Sequence, residues 1–311
     1  MLVDGGKRLF GPYADQWLDE RLVKGQPLTP ATRFGYEGLL RRNIKPTFDK
    51  TKLRAITPES VRTWHRQVTA RAGADQAAKS YRLLRAIMAT AASDGLIAQN
   101  PCLIRGAGSE RARERPMLDA STVVELAEVI DPRLRCLVLL GGFLGLRTGE
   151  LCGLQRHDVD LLHRVLRVRR QAEEISGHRI VGEPKSEAGI RRVSLPNALV
   201  PFIEAHLAAY SAPGPDGFVF TRKSGLPLGR RELSEAWRQA VADVGAPAGL
   251  RVHDLRHHAA TTFARKPDIT LKERMATLGH GSPVAALRYQ HATEERGRAL
   301  ADYMDGIIAG A

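Results

Sequence analysis

Cysteine is scarce in this chain: Cys102, Cys136 and Cys152 are the only three in 311 residues. They are too few and too scattered for a disulfide framework or a Cys-x-x-Cys metal site, and they read as small buried hydrophobes in a reduced compartment. No His-Glu-x-x-His framework is present either, so nothing beyond isolated histidines argues for zinc. Long apolar runs are also missing. The longest, Leu137 to Leu146, is broken by Gly141, Gly142 and Gly145, well short of a membrane span. The N-terminus lacks the charged-then-apolar pattern of a secretory signal. Neither an internal repeat nor a low-complexity tract is visible. A cytoplasmic protein without a membrane partner is expected.

Acidic charge is in short supply as well. The formal net charge is +13, with a pI near 10.1, and such a field recruits a polyanion, either nucleic acid or an anionic membrane surface. The surplus is uneven. Residues 1–116 hold 21 Lys and Arg against 11 Asp and Glu, whereas residues 117–311 hold 26 against 23. The front of the chain is therefore the expected electrostatic grip, although a surplus of this kind occurs on many proteins with other partners.

With 311 residues and 43% hydrophobic content, two domains are expected. Residues 1–105 read as a helical unit. Phe10, Tyr13, Trp17 and Leu18 share one helical face, as do Val61, Trp64 and Val68, and Thr29-Pro30 and Thr57-Pro58 are start signals with a capping hydroxyl and a first-turn proline. A fourth helix, Ala74 to Ser93, turns Tyr81, Leu84 and Met88 inward and carries Lys79, Arg82 and Arg85 on a separate arc. That arc is either a solvated face or a set of DNA phosphate contacts. Residues 106–116 are rich in Gly, Ser and Arg without apolar periodicity, the composition of a linker. Residues 117–311 then read as helices to about Leu154, strands between Arg164 and Leu195, and helices again. Within the strand region, Arg179 to Pro184 and Ile190 to Leu195 flank Ser186-Glu187-Ala188-Gly189 as a hairpin. The expected fold is mainly α, with one small antiparallel β-sheet in the second domain.

The second domain also carries an ordered set of chemically capable residues: Arg147, Lys185, His253 with Arg256, His280 and Tyr289. Breaking a phosphodiester needs a nucleophile, donors for charge on the nonbridging oxygens, and an acid for the departing oxygen. Arg147 and Arg256 offer planar forks matched to phosphate. His280 adds a further donor, and His253 is suited to accept the tyrosine proton. Lys185 could protonate the leaving oxygen, with Arg191 and Arg192 as competing cations nearby. Tyr289 becomes the covalent carrier. Each residue alone has a plain structural reading, a packing tyrosine or a solvated His-x-x-Arg; their joint occurrence in one order does not.

The segments GFLGLRTGELCGL, PKSEAGIRRVSLP, HDLRHHAATTFA and LGHGSPVAALRYQHA resemble the characteristic boxes of the tyrosine recombinase, or phage integrase, family. The resemblance spans essentially the whole chain, and Arg288-Tyr289-Gln290-His291 is similar to the wording of integrases from actinobacterial phages and prophages. It implies a helical core-binding domain in front and a catalytic domain behind. It further implies that Arg147 and Arg256 clamp the scissile phosphate with help from His280, that Glu150 buttresses Arg147, that Lys185 is the general acid and His253 a general base, and that Tyr289 forms a 3′-phosphotyrosine. Strand exchange would then need no ATP, metal or other cofactor. The implied partner is double-stranded DNA at recombination core sites, bound by a dimer and paired in a tetrameric synapse, with a host bending or excision factor as a further partner. The tail, Glu294 to Ala311, carries an apolar stripe at Leu300, Met304, Ile307 and Ile308 and is expected to pack on a neighbouring protomer.

Two departures stand out. His258 stands where the family often has a small or threonine-like residue, with an effect expected on packing only. Only Met1 to Arg8 precede the core-binding domain, so either an arm-binding domain is absent or the natural start lies upstream. Rival readings are a type IB-like topoisomerase, a catalytically silent DNA-binding regulator, and a zinc enzyme using His253, His257 and His280. The first would relax supercoils without sequence dependence, the second would lack a catalytic residue, and the third would need a metal-binding framework.

Overall fold

A computed structural model of the chain describes residues 7–23, 25–110, 116–175, 177–184, 186–266, 269–279 and 281–282. Two compact units divide it, Met1–Glu114 and Arg115–Ala311.

The first unit contains α1 (Phe10–Glu20), a two-residue β1/β2 ribbon (Leu22–Val23 with Gln26–Pro27), α2 (Pro30–Leu39), a π turn (Leu40–Ile44) running into the short α3 (Lys45–Phe48), α4 (Pro58–Ala72) and α5 (Ala74–Ser93). The caps form where the sequence signals them. The Thr29 hydroxyl accepts from the Thr32 amide (3.3 Å), and Thr57 and Ser60 exchange side-chain and backbone bonds of 3.0 and 3.2 Å across the start of α4. Phe10, Trp17, Phe48, Trp64, Tyr81, Leu84 and Met88 fill the core, each such burial stabilising by about 1.5–3 kcal/mol. The Asn43 carbonyl in the π turn accepts from the Trp64 indole (2.7 Å), and its amide bonds Ser80 (2.9 Å). These bonds satisfy polar groups that would otherwise be costly to bury.

The expected linker begins inside this unit. Gly108 offers its carbonyl to Arg82 at 2.8 Å and Glu110 pairs with Arg82 and Lys79, so residues 106–110 dock on α5 instead of spanning between units.

The second unit contains α6 (Ala120–Val129), α7 (Pro132–Leu144), α8 (Thr148–Gly153), β3 (Val159–Asp160), β4 (Val165–Val168), β5 (Gln171–Ile175), β6 (His178–Gly182), β7 (Arg191–Ser194), α9 (Val200–Ala209), α10 (Arg230–Asp243), α11 (Val252–Arg265) and α12 (Leu271–Leu278). Helices α7 and α11 pack at its centre, around Val123, Leu137, Leu140, Leu151, Phe220, Trp237 and Leu255. The glycines that interrupt the apolar run of α7 are packing sites: a Cβ at Gly142 would lie 2.5 Å from Val123 Cγ1.

The strands are antiparallel, yet the expected hairpin does not form. β7 pairs with β4 in the register Leu166↔Val193 and Val168↔Arg191, extending a three-stranded sheet β3-β4-β7, while β6 pairs with β5 as a separate ribbon. The burial pattern explains the choice. Val193 alternates inward to meet buried Leu166 and Val168, whereas β6 is largely exposed and has no inward face to match. The Glu187–Gly189 turn joins the two arrangements as a 3₁₀ segment. Among the described residues no helix is long and apolar enough to cross a membrane.

Candidate active site

Two helices of the second unit end on glycines with left-handed backbone. Gly145 closes α7 (φ 69°) and Gly279 closes α12 (φ 66°). A side chain would also collide at both: a Cβ on Gly145 would lie 2.5 Å from Leu278 Cδ2, and one on Gly279 would lie 2.8 Å from Arg191 Nη1. Helix C-termini leave carbonyls without intrahelical partners and carry the negative end of the helix dipole. Here those carbonyls receive guanidinium groups.

Arg256, on α11 and 3% exposed, donates from Nη1 to Gly145 O and from Nη2 to Leu278 O, both at 2.6 Å. Arg147, at the N-terminal cap of α8, donates from Nη2 to Gly279 O at 2.6 Å. The two arginines expected to act together are thus drawn to adjacent carbonyls at the end of α12 from elements far apart in sequence.

Glu150 lies beneath Arg147. Its carboxylate accepts from the Arg147 amide (2.8 Å) and from Arg147 Nη1 (2.6 Å), and the side chain is fully buried. From the opposite side Arg191 forks onto the same carboxylate, Nη1 to Oε1 at 3.0 Å and Nη2 to Oε2 at 2.9 Å. Burial pushes the Glu150 carboxyl upward, but the hydrogen bond and charge of Arg191, with those of Arg147, outweigh it and hold the group below its ordinary range.

Asp254 caps α11 by accepting from the Arg251 amide at 2.7 Å. His253, one turn before Arg256, is exposed, and its ring stands nearly perpendicular to that of His257, 4.8 Å between centroids. His258 bonds Leu118 O at 2.8 Å and meets the Phe143 ring edge-on, a packing role. Lys185, His280 and Tyr289, and the tail from Glu294, lie outside the described residues. Their chain neighbours are informative for the first two. A Cβ on Gly281 would sit 3.6 Å from the Ser186 side chain, and one on Gly279 would sit 2.9 Å from Ala188 O, so the segments flanking Lys185 and His280 adjoin.

Arg191, expected only as a cation competing with Lys185, is instead a partner of Glu150. Strand periodicity carried the missing signal: Arg191 and Val193 share one face of β7, and that face is the buried one.

In the first unit the basic arc is partly neutralised from within. Arg82 and Lys79 pair with Glu110, at 2.5 and 3.5 Å, while Arg85 is exposed further along α5.

Helices frame small antiparallel sheets in the second unit, and arginines gather at the ends of two of those helices. The phage integrase family model matches residues 116–296, and an N-terminal SAM-like domain of phage integrases matches residues 9–67. A putative prophage phiRv2 integrase of Mycobacterium tuberculosis is 41% identical over 298 residues, covering 94% of this chain and 76% of that protein. Among solved structures, the Tn1549 transposon integrase in complex with a circular intermediate DNA aligns with a TM-score of 0.81 at 21% identity, covering 94% of this chain and 98% of that one. A lambda integrase dimer bound to a core site aligns with a TM-score of 0.69 at 18% identity, covering 92% and 78%. The chain belongs to the phage integrase family and is a site-specific tyrosine recombinase.

Proposed function

We propose that this recombinase integrates or excises a mobile element by cleaving each DNA strand at a core site through a 3′-phosphotyrosine on Tyr289. Arg147 and Arg256 hold the nonbridging oxygens of the scissile phosphate, and His280 donates a further hydrogen bond. His253 accepts the tyrosine proton as Tyr289 attacks phosphorus. Lys185 delivers a proton to the departing 5′-oxygen. Reversal of the same steps by a 5′-hydroxyl from the partner strand reseals the backbone, and the ester conserves the energy of the broken bond. Glu150 keeps Arg147 at its post. No metal or nucleotide enters the scheme.

The observation that carries this reading is the convergence of Arg147 and Arg256 on the carbonyls of Gly279 and Leu278, directly before His280, with the Ser186–Ala188 turn alongside. A fork of guanidinium groups fixed before substrate arrives is what electrostatic stabilisation of a phosphoryl transition state requires. The first unit supplies the core-type grip, with Lys79, Arg82 and Arg85 as phosphate contacts. Dimers on a core site and tetramers in the synapse are the proposed working assemblies, with residues 294–311 joining protomers and a host bending or excision factor setting direction.

Incubation with random-sequence duplex DNA, followed by denaturing capture and sequencing of covalently bound fragments, tests the chemistry. A single enriched sequence attached through Tyr289 is expected. Capture of DNA without sequence preference, accompanied by supercoil relaxation, would favour a topoisomerase instead.

A further inference from the structure

Arg191 belongs to no role assigned above, yet it is 6% exposed at its side chain and joins four segments. Its two terminal nitrogens fork onto both oxygens of Glu150, at 3.0 and 2.9 Å, while Nε donates to Thr277 O at 2.8 Å and Nη1 also reaches Gly189 O at 3.1 Å. It therefore ties the cap of α8, the 3₁₀ turn, the start of β7 and the end of α12 to one planar group. Lysine, with a single ammonium, could not reproduce that fork.

The geometry of Glu150 defines what the tie does. Its carboxylate is shared between a buried guanidinium that faces inward, Arg191, and one that is 32% exposed, Arg147. Two backbone carbonyls near the end of α12 are shared likewise, Thr277 with Arg191 and Gly279 with Arg147. Arg147 thus stands on two supports, Glu150 and the end of α12, and Arg191 grips both. Gly279 is held against Arg191 so closely that no side chain fits between them. A buried ion pair of this kind is weak evidence for stability, because desolvation offsets the attraction; fixing a geometry is the better account of it.

We infer that Arg191 is a positioning residue for strand cleavage, locking Glu150 and the end of α12 into the one arrangement that presents Arg147 to the scissile phosphate. This rests on the assignment of Arg147 to that phosphate. Arg191 touches no reacting atom. It acts on the rate of the chemical step and leaves the affinity for DNA unchanged, since that grip is spread over many phosphates.

The test uses the full chain and a nicked duplex carrying the sequence recovered by covalent capture, so that cleavage is trapped in a single turnover. Arg191→Lys keeps a cation beside Glu150 and guards against simple failure to fold, which circular dichroism and thermal melting monitor. Its cleavage rate is expected to fall on the order of 100-fold, the cost of a small misplacement of a group that binds the transition state, with half-site Kd unchanged. Arg191→Ala leaves a cavity shaped for guanidinium, and millimolar guanidinium, far below denaturing levels, should restore part of its rate while doing nothing for Arg191→Lys, where the ammonium occupies the space. A 5′-bridging phosphorothiolate substrate should rescue neither variant, because the defect lies in the clamp and not in leaving-group protonation.

Wild-type cleavage by folded Arg191→Lys would overturn the inference, as would full rescue by the phosphorothiolate. A loss of affinity that accounts for all the lost cleavage would overturn it too. Failure of the underlying assignment has a different signature: Arg147→Ala would then cleave as fast as wild type, whatever Arg191 variants do.

Discussion

Replacing Gly145 with alanine separates the roles of backbone and packing in this site. Gly145 has φ 69°, a left-handed conformation that costs an L-residue about 1–2 kcal/mol. Its new Cβ would lie 2.5 Å from Leu278 Cδ2 and 3.2 Å from Ala259 Cβ, and forcing such atoms apart in a packed core costs about 1–3 kcal/mol more. The sum is roughly 2–5 kcal/mol. Gly245, after α10, provides the control: its φ is 68°, and no atom lies within 4 Å of the position its Cβ would take. Gly245→Ala should therefore show the backbone cost alone, about 1–2 kcal/mol. Hydrogen exchange of the most protected amides in α7 and α11 reads the difference without interference from the first unit. At tenfold per 1.4 kcal/mol, protection should drop roughly 5- to 30-fold in the control and roughly 30- to 4,000-fold in Gly145→Ala. Cleavage provides a second readout. Leu278 is buried and its carbonyl holds Arg256, so displacing it should disturb the clamp: Gly145→Ala should cleave slowly even where it is fully folded, and Gly245→Ala should cleave normally. Equal losses of protection in both variants would refute the packing argument.

Tyr289→Phe should bind DNA as wild type does but form no denaturant-stable adduct on a nicked substrate, and EDTA should leave wild-type cleavage intact; an adduct with the phenylalanine variant would refute the nucleophile. Lys185→Ala should recover most of its rate on a 5′-bridging phosphorothiolate, which leaves as a thiolate needing little protonation, whereas Arg147→Ala should not. Equal rescue would contradict that division of labour. Because Glu110 already engages Lys79 and Arg82, Glu110→Gln should raise DNA affinity, and Arg85→Gln should lower the salt slope by about one unit; binding titrations across salt concentrations decide both. For Glu150 the pKa is lowered in the folded state, so its stabilising contribution is complete above the ordinary carboxylate range and lost as pH falls through the depressed folded value. Glu150→Gln should thus melt well below wild type at neutral pH and approach it in acid. A gap that does not change with pH would refute the pairing.

Much of this was legible in the sequence where one local rule governs. Thr29-Pro30 and Thr57-Pro58 begin helices because a hydroxyl cap and a fixed proline φ act within four residues. The helix of Ala74 to Ser93 and its buried face follow from 3.6-residue spacing alone. The hairpin expected around Ser186 failed for a nonlocal reason: partner choice between β6 and β7 depends on which strand has an inward face to bury, and β4 offered that surface from twenty-odd residues away. The roles of residues 106–110 were hidden likewise, since Gly108 and Glu110 look like linker until Arg82 is placed beside them. For the site, residue identity and order pointed to Arg147 and Arg256, and the family resemblance to Glu150. Strand periodicity could place Arg191 on the buried face of β7 but could not name Glu150 as its partner, because that contact joins elements 41 residues apart.

That third arginine raises an electrostatic question. Arg147 and Arg191 share the Glu150 carboxylate, Arg256 reaches the end of the same helix α12, and like charges gathered in one site repel unless something answers them. The carbonyls of Gly145, Thr277, Leu278 and Gly279 do so. They are dipoles without net charge, located where helices α7 and α12 run out of partners, and the two left-handed glycines bring the chain round there. Because carbonyls satisfy the guanidinium groups without cancelling their charge, the cluster keeps a positive field. Fixing cations with dipoles trades some stability for a site that is already organised when an anion arrives, and two helix ends are an economical way to supply those dipoles.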